Sequence, residues 1–185
     1  MIFLSASIPI PEREFYGTEN VVAIREAIMA FTKVCIENRL PFYFGGHPAI
    51  TPLVWDVAKL YLHNGENPQI KIYQSLFFGE QIPKVVENFP GLIFTEKMFN
   101  KDASVEHMRL RMFHENQTTI AVFIGGMQGV ITEAGLLRNI YPQVRLLPIV
   151  TTGGASSVVA ENWGIRDKRL LDSYDYAGIF KDYLL

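Results

Sequence analysis

The sequence predicts an α/β fold of three layers: a mostly parallel sheet of six or seven strands, covered by helices on both faces. Short apolar runs of strand length alternate along the whole chain with longer segments whose apolar residues follow helical spacing. That alternation implies right-handed crossovers and therefore a parallel sheet. Four clusters of small residues, Ser5-Ala6-Ser7, Gly45-Gly46, Gly125-Gly126 and Gly153-Gly154, each follow the end of a predicted strand. In such sheets ligands bind outside the carboxyl ends of the strands. One rim of the sheet should therefore hold nearly all the backbone able to approach a ligand closely.

Ile2 to Leu4 reads as the first strand, and Ile8-Pro9-Ile10-Pro11 after it must be extended, because proline disfavours helix at and before its own position. From Glu19 to Asn38, Val22, Ile24, Ala27, Ile28, Phe31, Val34, Cys35 and Ile36 make the wide apolar face of a helix. Phe42-Tyr43-Phe44 is the second strand, followed at once by Gly45-Gly46-His47-Pro48. Thr51-Pro52 reads as an N-cap with proline at the first helical position. Gln69 to Gln74 and Gly91 to Thr95 are the third and fourth strands, with one short helix expected between them among Gly79, Pro83 and Pro90. Asp102 or Ser104 is expected to cap a helix running to about Asn116. Thr119 to Ile124 and Leu146 to Val150 complete the strands, and a helical region ends the chain.

The stretch from Val122 to Gly135 carries the most chemistry. Gly125, Gly126 and Gly129, with Met127 and Gln128 between them, lie where a buried strand turns into a helix. Missing Cβ atoms allow close approach to backbone, and the first N–H groups of a helix attract anions. The same glycines also suit a tight turn with no ligand. Glu133 falls in the first turns of that helix, placed either to face the loop's ligand or merely to suit the helix dipole. Arg109 offers a planar fork for a phosphate, or a partner for an acid such as Glu106; Arg111 lies about 200° round the helix and cannot easily share the role. Ser5 and Ser7 end the first strand with hydroxyls, Gly45, Gly46 and His47 follow the second, and Gly153, Gly154 and Ser156 fit a mobile rim. His47 serves equally well as a turn residue. His107 and His114 lack a third ligand at metal spacing, so no metal site is expected.

The residues resemble the SLOG superfamily of Rossmann-like domains, which includes the LOG phosphoribohydrolases and nucleotide-sensing domains of bacterial defence effectors. In LOG enzymes a Met-x-x-Arg-Lys helix precedes a strand and Pro-Gly-Gly-x-Gly-Thr-x-x-Glu. Here Arg109 stands at that spacing ahead of Gly125-Gly126, and Glu133 follows Gly129. Ile124 takes the proline's place, Leu110 the lysine's and Val130 the threonine's, and one extra residue separates Gly126 from Glu133. Gly-Gly-Met-x-Gly-Val is closer to SLOG domains found beside sirtuin-like or TIR modules. The resemblance implies a sensor of an ADP-ribose-like or cyclic ADP-ribose-like nucleotide in signalling or antiphage defence. It also implies two enzymatic alternatives that share Glu133 and Arg109: a LOG-like nucleoside 5′-monophosphate phosphoribohydrolase, or an enzyme like nucleoside deoxyribosyltransferase. It further implies a homo-oligomer and a separate effector protein as partner.

At 185 residues the chain is expected to be one domain, spanning 1–185. A formal net charge of -2 offers no electrostatic reason for a nucleic-acid partner. Cys35 is the only cysteine, which excludes an internal disulfide. No apolar run reaches the roughly 18 residues of a membrane span, and the first residues lack the basic region of a signal peptide, so a cytoplasmic location is expected, without membrane contact. No motif calls for a cofactor, and no Gly-Lys-Ser/Thr phosphate loop is present.

Overall fold

The computed structural model describes residues 1–62 and 67–185. Its elements are β1 (Ile2–Ser7), α1 (Val21–Glu37), β2 (Phe42–Gly45), α2 (Thr51–Tyr61), β3 (Ile70–Ser75), β4 (Gly91–Thr95), α3 (Lys101–His114), β5 (Ile120–Gly125), α4 (Gln128–Ile140), β6 (Arg145–Ile149), α5 (Ala155–Asn162), α6 (Lys168–Asp172) and α7 (Tyr176–Leu184). The strands form one six-stranded sheet in the order β4-β3-β2-β1-β5-β6, every pair parallel. This is the three-layer, Rossmann-like arrangement.

Strand alternation builds both outer layers. In β1, Ile2 and Leu4 join a core with Ile24, Ile28 and Phe31 of α1, Val54 of α2 and Phe180 of α7. Phe3 points the other way, into Met112 and Phe113 of α3, Val130 and Leu137 of α4 and Val159 of α5. Rings lock each layer edge to face: Phe31 meets Phe42 at 5.0 Å on one side, and Phe3 meets Phe113 at 5.1 Å on the other. Ser5 follows Phe3 in the same alternation and faces the layer of α3, α4 and α5.

Strand order places the site. From β1 the chain steps outward through β2, β3 and β4, then returns to the other flank of β1 with β5. The direction of winding reverses between β1 and β5, where Ser5 stands beside Phe123 and Ser7 beside Gly125. A crevice opens at such a reversal, because the two following connections leave in opposite directions.

Three local expectations are corrected. Thr51 is not the N-cap of α2 but its first residue, because a turn from His47 starts the helix early: Thr51 N–H donates to the His47 carbonyl at 2.9 Å. The freed Thr51 hydroxyl accepts from His47 N–H at 3.0 Å. Asn100, rather than Asp102 or Ser104, caps α3, its Oδ1 accepting from Ala103 N–H at 2.8 Å. Ser104 is buried and donates to the Asn100 carbonyl instead. Between β3 and β4 the chain forms 3₁₀ segments at 76–81 and 84–88 in place of the one short helix expected, the first kinked internally at the positive-φ Gly79 and the second preceded by Pro83. The last helical region is three helices, interrupted by a left-handed Gly164 and by Ser173-Tyr174.

Asn20 caps α1 as Asn100 caps α3, accepting from Ala23 N–H at 3.0 Å. Asn20→Ala and Asn100→Ala should each lower stability by about 1 kcal/mol, and the double variant by the sum. Urea unfolding should show this as a lower midpoint with an unchanged slope; a non-additive double variant would contradict the independence of the two caps.

Candidate functional site

Three elements meet on the carboxylate of Glu133. Ser5 of β1 donates its hydroxyl to Oε2 at 2.5 Å, and Arg109 of α3 donates Nε–H to Oε1 at 2.9 Å. Side-chain exposure of 18% for Arg109 and 16% for Glu133 sets the pair apart from a freely screened surface ion pair. The guanidinium also lies over the start of α4: a Cβ on Gly129 would be 2.6 Å from Arg109 Nη2. Gly129 leaves the space into which the tip of Arg109 reaches.

The paired glycines do something other than bare their amides. Gly125 and Gly126 have left-handed φ values of 59° and 96°. A Cβ on Gly125 would meet Ile24 at 2.5 Å, and one on Gly126 would meet Val130 at 2.3 Å. Their N–H groups are already engaged: Gly125 donates to Thr152 Oγ1 at 2.8 Å, and Gly126 donates to the Ser7 carbonyl at 2.8 Å. The double glycine thus fastens β5 to β1 and to the segment after β6. The backbone donors that face outward begin two residues later. Met127 precedes α4 in an extended conformation and no side chain caps that helix, which leaves the first-turn N–H groups at Gln128 and Gly129 beside Arg109.

The remaining expected residues divide into two groups. Ser7 is buried and reaches the site through its carbonyl. Gly45 lies under the Met108 methyl, whose carbon would be 3.3 Å from a Cβ there, and Gly46 N–H donates to the Tyr73 carbonyl at 2.8 Å. His47 is a turn residue, its Nδ1 accepting from Ala49 N–H at 3.2 Å. Burial lowers its protonation to about 4, so the ring is neutral near pH 7.

Gly153 and Gly154 lie against other backbone segments. Gly153 forms an antiparallel bridge with Glu19, and a Cβ on Gly154 would be 2.7 Å from the Gly126 carbonyl. Ser156 is buried and donates to the Gly153 carbonyl at 2.7 Å. Gly153 lines a separate cavity of about 460 Å³ with Thr18, Glu19, Asn20, Thr151 and Asp172; Ser5, Arg109 and Glu133 do not line it. Thr152 is the residue that sequence reasoning missed. It holds the glycine loop by accepting from Gly125 while donating to the Ile149 carbonyl at 2.5 Å. Its position, just after a strand and just before a glycine pair, is the signal that marks it.

Arg111 is spent elsewhere, on Glu115 at 2.8 Å and the Phe94 carbonyl at 3.0 Å, so Arg109 alone of the two reaches the crevice. His107 pairs with Glu96 at 2.9 Å on the surface. Cys35 is buried in α1 and burial pushes its thiol well above the usual range. No helix among the described residues is long and apolar enough to cross a membrane.

The geometry can be set beside known families. A sequence model of the SLOG cluster3 family matches residues 14–184, nearly the whole chain. The chain belongs to the SLOG cluster3 family. No curated protein and no solved structure matches it. SLOG membership agrees with the Rossmann-like sheet and points to a nucleotide-related function. In this SLOG domain the Gly125–Gly129 loop and Glu133 lie at the reversal of winding between β1 and β5.

His47 generates a pH prediction. In the unfolded chain its imidazole titrates near 6.5, whereas the folded value is about 4, so between these values the unfolded state binds the extra proton. The contribution of His47 to stability is full above about pH 6.5 and is lost as pH falls toward 4. Denaturant unfolding across that window should show His47→Gln with a shallower pH dependence than the parent chain; parallel curves would contradict the assignment.

Proposed function

We propose that this SLOG domain binds an adenine nucleotide, an ADP-ribose-like or cyclic ADP-ribose-like signal, in the crevice outside β1 and β5. The observation that carries the reading is the Ser5–Glu133–Arg109 cluster beside the uncapped start of α4. Its chemistry has two poles. Arg109 uses Nε on Glu133, and its terminal nitrogens lie toward Gly129, where the positive end of the α4 dipole adds to the attraction for a phosphate. Glu133 accepts one hydrogen bond on each oxygen and retains further lone pairs for ribose hydroxyls. Phosphate at the guanidinium and sugar at the carboxylate is the order in which a nucleotide presents these groups.

Tied to both a hydroxyl and a guanidinium, the Glu133 carboxylate is a positioned acceptor for ribose hydroxyls. Signalling, including antiphage defence, is the role we assign, with a separate effector protein as the receiver. Self-association belongs to the same proposal. β4 is an edge strand, and Phe94, Met98 and Phe99 are exposed at and after its end.

Incubation with AMP, ADP-ribose and cyclic ADP-ribose isomers, followed by chromatography for free base, tests the reading. Thermal stabilisation by an intact nucleotide without base release is the expected result, amounting to about 2.7 kcal/mol at 100-fold excess over Kd. Base release that disappears in Glu133→Ala would instead establish a hydrolase or transferase. Arg109→Ala should weaken phosphorylated ligands by about 1.5–3 kcal/mol, roughly tenfold to a hundredfold, and leave free nucleosides little changed. Equal loss for both would place the phosphate elsewhere.

A further inference from the structure

The segment between β1 and α1 is a loop with both feet on one spot. Where it begins, the Ser7 carbonyl accepts from Gly126 N–H at 2.8 Å; where it ends, Asn20 N–H donates to the Thr152 carbonyl at 3.0 Å. Thr152 in turn accepts from Gly125 N–H through its hydroxyl, so both feet stand on the glycine turn that ends β5. Compact loops with adjoining ends are packed by their own side chains and frequently carry function. This one sends a side chain into each layer of the fold. Ile8 packs against the cluster of α1, α2 and α7, and Phe15 against the cluster of α3, α4 and α5. The chain therefore crosses the rim beside the β1–β5 crevice and comes down on the face that holds Ser5, Arg109 and Glu133.

The crossing strains the backbone. Glu12 and Phe15 have left-handed φ values of 67° and 70°; among the described residues only Arg39 is another non-glycine with positive φ. For a bulky side chain such as Phe15 this region is an outlier, because the Cβ crowds the backbone. Its ring in the apolar layer holds it there, with two bonds on its carbonyl, from Thr18 N–H at 3.1 Å and the Thr18 hydroxyl at 2.7 Å. Around it Glu12, Arg13, Glu14 and Tyr16 are exposed. Ring burial and backbone strain thus oppose each other at one residue. Such strain persists only where the surroundings hold it, and it collects at ligand clamps and switch regions. Opposed terms bring the seated and released positions close in free energy, the condition for a segment that opens and closes on a site.

We propose that residues 10–17 form a lid over the crevice and that Phe15 is its latch. Seated as here, the ring holds the strap on the ligand face; released, it frees the mouth for a nucleotide to enter or leave. The inference rests on the nucleotide reading above for its ligand and adds the element that gates it.

Limited trypsin digestion, with cleavage after Arg13 followed by mass spectrometry, tests the latch with and without ADP-ribose. Phe15→Ala keeps the backbone strain and removes the ring, so cleavage should accelerate about tenfold or more in a chain still folded by its melting curve. Glu12→Gly relieves strain and keeps the ring, so cleavage should slow severalfold. Saturating ADP-ribose should slow cleavage of the parent chain about tenfold, and should dissociate from Phe15→Ala about tenfold faster than from the parent. A folded Phe15→Ala chain cleaved no faster than the parent would overturn the inference. If that variant does not fold, Glu12→Gly decides, and unslowed cleavage overturns it. So would parent cleavage unchanged by ADP-ribose that calorimetry shows to be bound. A parent chain that binds no ADP-ribose would sink the nucleotide reading, and the two ligand-free comparisons would then decide the latch alone.

Discussion

The parallel pairing of β1 with β5 is the contact on which this molecule's chemistry depends. Six residues of β1, Ile2 to Ser7, run in register with Ile120 to Gly125, and the ladder is extended past the strand end by Gly126 N–H on the Ser7 carbonyl. Because β2 occupies the other flank of β1, the connections after β1 and β5 diverge and leave a crevice. Slipping this register by one residue would turn Ser5 into the layer of α1 and α2 and present Leu4 to Glu133. The hydroxyl that meets the carboxylate is therefore a consequence of the pairing.

The glycines around that crevice serve three different physical needs. Gly125 and Gly126 adopt left-handed conformations and close the turn against Ile24 and Val130. Gly129 yields to a guanidinium, and Gly46 yields to a buried carboxamide. Only the last two are approached by polar side chains arriving from other elements. Thr152 and Ser156 then brace the glycine turn from the far side through the backbone after β6.

Much of this was legible in the sequence because it depends on local rules. Strands of β-branched and aromatic residues followed by small residues have few alternatives, so a mostly parallel sheet of six or seven strands with a glycine-bearing rim could be read directly. Arg109 and Glu133 were recognisable as a pair through the spacing they share with SLOG proteins, and they do meet. The capping residues were less legible. Asn100, Asp102 and Ser104 all carry oxygens suited to an N-cap, and burial of Ser104 decided among them.

By itself the sequence determined the fold class and the family, because apolar periodicity and glycine placement act over a few residues. Tertiary structure alone decided which amides remain open and which glycines lie against a distant side chain. Those are questions of occupancy between elements far apart in the chain. Gly125 loses its amide to Thr152, and Gly46 lies against the end of Gln74. No local rule reaches across such separations, since only packing brings the two groups to the same point.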